Sequence, residues 1–103
     1  MSKGMSNGPE WPWDQGKNVA TITTRQVLRE GAPVTVVIHY SSDHSWAFLG
    51  GEGFTLNDGL AVCMAEIPAR DPTLVEVADL APGWVARRTH VGAAWEREFD
   101  PEM

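Results

Sequence analysis

The chain has a single cysteine, Cys63, so no internal disulfide can form and the cross-linked framework of small secreted domains is excluded. A reducing, cytoplasmic setting is the expectation. Long apolar runs are also missing: the most apolar stretches, Pro33 to Ile38 and Leu60 to Ala65, fall far short of the ~20 residues a membrane helix needs. Lys3 is followed by Gly, Ser, Asn and Pro rather than by the apolar core of a signal peptide, which predicts no export. Positive charge is scarce, with eight Lys and Arg against fourteen Asp and Glu, a formal net charge of -6. That balance works against nucleic acid and anionic membranes as partners and favours a basic one, although the same charge also serves plain solubility.

Catalytic signatures are absent too. Gly50-Gly51-Glu52-Gly53 is too short for a phosphate loop and no Lys-Ser or Lys-Thr follows it. Ser42 and Ser45 lack the Gly-x-Ser-x-Gly setting of an elbow nucleophile. Cys63 lies in an apolar stretch and reads as an inert core thiol. The expectation is a protein that is not an enzyme and needs no cofactor.

What is present suits one domain. At 103 residues, with 43% hydrophobic and 21% charged side chains, the chain can bury a single core and is far from the composition of a disordered polymer. Residues 1–18, rich in Gly, Pro, Ser and Asn, read as a flexible N-terminal arm, and residues 19–103 as a single α+β domain. Trp11-Pro12-Trp13 interrupts the arm, and docking of these indoles on the domain itself is the plainer reading.

Val19 to Ile22 reads as a short strand, and Thr23-Thr24-Arg25-Gln26 as a capping box opening a helix over Thr24 to Glu30, stopped by Gly31 and Pro33. Val34, Val36, Ile38 and Tyr40 alternate as a strand should, and Trp46 to Leu49 returns antiparallel after a polar loop. Leu60 to Ala65 suits a strand passing into a helical turn. Asp71 with Pro72 caps a helix that presents Leu74, Val77 and Ala78 on one face until Pro82-Gly83. Trp84 to Thr89 reads as another strand, and Ala93 to Phe99 as a helical turn or an edge strand. The predicted fold is α+β, with a mostly antiparallel sheet of about four strands and two or three short helices.

The run Asp71-Pro72-Thr73-Leu74, the run Leu80 to Arg88 and Trp95, with Asp43 ahead of Trp46-Ala47-Phe48-Leu49, resemble a pattern in small uncharacterised bacterial proteins. That domain-of-unknown-function family looks related to the immunity-protein-33-like group of toxin systems, and the resemblance spans roughly Thr21 to Glu98. It implies a small protein that binds another protein, with no chemistry and no site residue assigned.

From the residues themselves, Asp43, Glu52 and Asp58 on successive turns could form an acidic rim for a basic partner such as a toxin, with Trp84 as an aromatic anchor. The competing reading is a metal-binding protein or metal-dependent hydrolase using His39, Asp43 and His44, against which stands a pair of surface histidines. A small-molecule regulatory domain is a third possibility, marked by an apolar pocket. Arg87 and Arg88 form the densest basic spot, and salt bridges to Glu96 or Glu98 are its plainer reading. Alternation also puts Arg88 on the face of Trp84 and Ala86, where a buried carboxylate could pair with it, Asp71 being a candidate whose capping role competes.

Overall fold

The computed structural model describes residues 11–103. Ten elements follow in order: β1 (Ala20–Thr24), α1 (Arg25–Glu30), β2 (Val34–His39), β3 (Trp46–Gly50), a 3-10 turn (Leu56–Asp58), β4 (Gly59–Cys63), α2 (Glu66–Arg70), a 3-10 helix (Pro72–Val77), β5 (Trp84–Arg87) and β6 (Glu96–Phe99). The strands form one sheet of six in the order β4-β1-β3-β2-β5-β6. Every neighbouring pair is antiparallel except β1 and β3. The α+β class holds, and the strand number is six rather than four. Of the two edge strands, β4 follows the reading of Leu60 to Ala65 as a strand passing into a helical turn, whereas β6 has no inward apolar row to mark it. All four side chains of β6 are exposed.

The β2–β3 hairpin forms as its alternation predicts, with Val37 opposite Phe48 and His39 opposite Trp46. α1 then carries the chain from β1 past β3 to β2, leaving β1 parallel to β3. Only two residue pairs define that parallel seam, and three threonines of β1 reinforce it with side-chain bonds. Thr21, Thr23 and Thr24 donate from their buried hydroxyls to the carbonyls of Trp46, Phe48 and Gly50. This overturns the capping box. Thr23 is a strand residue bonded to Phe48 at 2.7 Å, and the helix starts at Arg25 behind Thr24, whose hydroxyl is likewise turned to β3.

One face of the sheet is covered. Trp46 and Phe48 of β3 meet Val27 of α1, Ile67 of α2, Leu74 and Val77 of the 3-10 helix, and Trp13. Trp13 stands edge-on to Trp46 and Phe48, with ring centroids 4.9 and 5.5 Å away. The indole of Trp13 thus docks on the domain, as the plainer reading of Trp11-Pro12-Trp13 had it, while residues 1–10 of the expected arm lie outside the described residues. Asp71 caps the 3-10 helix as its sequence foretold, accepting from the Thr73 amide at 3.0 Å. It also meets Arg88, whose buried guanidinium bonds Asp71 at 2.7 Å, Thr73 at 2.9 Å and the Val34 carbonyl at 3.0 Å. Arg87, on the opposite face, takes Glu98 at 3.0 Å. Cys63 is corrected from core to surface, since it sits exposed on the edge strand β4. No helix among the described residues is long and apolar enough to cross a membrane.

Candidate functional site

The four residues expected to meet a partner do not form one patch. β3 runs from Trp46 to Gly50, so Asp43 precedes its start and Glu52 follows its end, roughly 16 Å apart along a five-residue strand. Trp84 faces His39 in register and so shares the Asp43 end, while Asp58 shares the Glu52 end through the pairing of Thr24 with Gly59. Asp58 is also occupied internally. It accepts from the Thr55 amide at 2.8 Å, Gln26 at 3.1 Å and Arg25 at 2.8 Å. The Thr55 amide, then Gln26 and Arg25, hold its carboxyl below the ordinary value. Asp43 is exposed and closes its own turn on the Ser45 amide at 3.0 Å; the bonds from Ser45 depress its carboxyl too. Trp84 is half-buried, tilted against Phe99 at 6.0 Å. Glu52 is exposed on its turn.

The grouping of His39, Asp43 and His44 is not assembled either. His39 is only 3% exposed, not a surface histidine, and its Nδ1 lies 2.7 Å from the Leu80 carbonyl. Its Nε2 lies 2.9 Å from Asp14 Oδ2, at ion-pair distance although outside hydrogen-bond direction. Trp46 stacks on the ring at 3.9 Å and donates its indole N–H to Asp14 Oδ1 at 2.7 Å. His44, held in the left-handed region at φ 61°, comes within 3.9 Å of Asp14. Asp14, not Asp43, is thus the carboxylate of this cluster. Sequence reasoning missed it because Asp14 lies in the segment read as an arm, and the one available signal was its place beside Trp13. Among the described residues no group of three His, Cys, Asp or Glu side chains is arranged to hold a metal. The cluster fastens the Trp11–Asp14 segment to the sheet.

Among the described residues no helix covers the second face of the sheet. Ile38, Ala47 and Val85 lie there under a thin cover of Val36, Tyr40, Leu49 and Met103. Beside them Ile22 is 43% exposed. Alternation makes this inevitable: β1 and β3 turn Thr21, Thr23, Trp46 and Phe48 to the covered side, which sends Ile22, Ala47 and Leu49 to the other. A groove of about 320 Å³ runs across this face, floored by Ile22, Ala47 and Leu49 and walled by Tyr40, Phe54 and Gly59. It is an apolar concavity on the side of the sheet opposite the described helices.

Compared with family models, curated proteins and solved structures, the chain matches none.

Proposed function

We propose that the chain is a non-enzymatic protein-interaction domain that receives a protein partner on the open face of its sheet. The observation that carries this reading is the groove over Ile22, Ala47 and Leu49. A folded domain gains nothing by leaving a branched aliphatic side chain and an apolar trough in water, and such surfaces are where interfaces form. The trough has room for one or two large side chains, the scale of a hot-spot anchor rather than of a whole substrate. With a net charge of -6 on the chain, the partner's anchor is best flanked by basic residues, which speeds encounter. The finer form of the proposal is an immunity-type protein for a basic toxin, and it draws on the resemblance along Asp71 to Arg88 together with that charge.

The test is a pair of capture experiments under identical conditions. Wild-type protein is expected to retain a specific protein that Ile22→Glu loses by more than tenfold in affinity, while both keep the same thermal midpoint. If the Ile22→Glu variant binds that protein as tightly as wild type, the open face is not the docking surface. Occupation of the trough by a small apolar molecule, seen as a melting shift lost in the same variant, would replace the proposal with the small-molecule reading.

A further inference from the structure

The segment that carries Trp13 belongs to no strand, and its polar ties to the sheet run through side chains. Asp14 Oδ1 accepts from the Trp46 indole, Asp14 Oδ2 stands beside His39, and the Gln15 amide donates to the His44 carbonyl at 3.0 Å. His39 decides what kind of tie Asp14 makes. A backbone carbonyl only accepts, so the Leu80 oxygen, 2.7 Å from Nδ1, fixes a proton on that nitrogen. A neutral ring then keeps only a lone pair at Nε2. That atom is buried and stands 2.9 Å from Asp14 Oδ2. A carboxylate also only accepts, and two acceptors this close repel each other. A second proton, on Nε2, turns the repulsion into an ion pair. Trp46, stacked on the ring at 3.9 Å with the planes 12° apart, offers its π face to the resulting cation.

We infer that His39 and Asp14 form a proton-operated latch, in which the imidazolium of His39 holds Asp14, and with it the Trp11–Gln15 segment, against the sheet. When the Nε2 proton passes to solvent the attraction is lost and two acceptors face each other, so the latch is closed on the acid side and opens as pH rises. The other groups around the ring do not supply this sign. His44, from the β2–β3 loop, lies 5.8 Å away between ring centroids, and as a second cation it would oppose the charge on His39. Asp43 in the same loop is turned to the Ser45 amide, and Asp79, next to Leu80, is engaged by Arg97 at 2.9 Å. From the strands, Trp46 and Trp84 are uncharged. Opening loosens the segment whose Trp13 ring stands edge-on to Trp46 and Phe48. The latch lies on the covered side of the sheet, and the inference does not rest on the proposed function.

The experiment is nitrogen NMR with hydrogen exchange on the full chain from about pH 5 to about pH 9, the interval that brackets histidine chemistry. Both ring nitrogens of His39 are expected to carry protons on the acid side, with Nε2 alone losing its proton as pH rises. Over the same rise the Trp46 indole N–H, corrected for the pH dependence of free exchange, should lose protection at least tenfold, while the Phe48 amide in the centre of the sheet keeps its own. Asp14→Asn should reverse the sign: its amide oxygen still accepts from Trp46, and its NH2 donates to the Nε2 lone pair of the neutral ring, so protection is kept as pH rises and lost on the acid side. His44→Gln should leave the wild-type profile in place, since His44 is 56% exposed and 3.9 Å from Asp14. A His39 ring that is neutral at every pH, indole protection in the wild type that ignores pH, an Asp14→Asn profile that falls as the wild type does, or a profile abolished by His44→Gln overturns the inference. The ring nitrogens are read on the wild type, so the inference stands or falls even if Asp14→Asn does not fold.

Discussion

Gly50 shows how much a single residue can decide. In the sequence it belongs to a glycine cluster that suggests a turn, yet it is the last residue of β3, paired with Val34. A Cβ there would stand 2.0 Å from the Pro33 carbonyl oxygen and 3.2 Å from a Val27 methyl. Backbone cannot yield as a side-chain tip can, so Gly50→Ala is expected to cost ~1–3 kcal/mol by overpacking, measured by urea denaturation. Gly16→Ala, which meets only Val19 at 3.7 Å, is the control and should be near neutral. Asp71 is the other decisive residue. Burial alone would raise its carboxyl, but the Thr73 hydroxyl, the Arg88 guanidinium and the Thr73 amide outweigh it and leave it below the ordinary value of 3.8. A carboxyl lowered by folding binds fewer protons in the native state, so its stabilisation is complete above pH 3.8 and fades as pH falls through the native value. Asp71→Asn should flatten stability against pH in that acid range. At neutral pH it should cost ~3–5 kcal/mol, because Arg88 keeps its charge in the interior without a counter-ion. Equilibrium unfolding at a series of pH values checks both.

Among the elements, those with two-residue periodicity and an inward apolar row were legible before any coordinates: β2, β3 and their hairpin. The Asp71-Pro72 start was legible as well, because cap chemistry is local. Its continuation was less so, since Pro72 to Val77 winds as a 3-10 helix rather than a full α-helix. Thr23 and Gln26 have the spacing of a capping box, yet the parallel partner β3 claims the Thr23 hydroxyl; tertiary bonding outranked the local motif. β6 reads in sequence as either a helical turn or an edge strand because Glu-Arg-Glu-Phe buries nothing; pairing with β5 makes it the edge strand. The segment before β1 gave two signals: its composition reads as an arm, but its indoles read as docked, and Trp13 is 6% exposed within the main core. Trp13→Ala should therefore destabilise by ~3–5 kcal/mol, a loss expected of a buried indole and not of a solvent-borne arm. Chemical denaturation monitored by circular dichroism reads it.

At the scale of the whole molecule, the candidate site was only half visible. Periodicity does say that Ile22, Ala47 and Leu49 share a face, but not that every helix would settle on the opposite one. That choice follows from α1 and the 3-10 helix both presenting their apolar residues to Trp46 and Phe48. The acidic rim dissolved for a related reason: residues close in sequence across a strand end at its two poles.

The lodging of Trp13 has a consequence for synthesis. The ring packs edge-on against Trp46 and Phe48 in a core whose last buried residue is Ala86, so on a ribosome the indole emerges long before the walls that hold it. Domains close as units, and here closure must wait until the chain beyond the 3-10 helix is free. Until that moment the indole has nowhere to go.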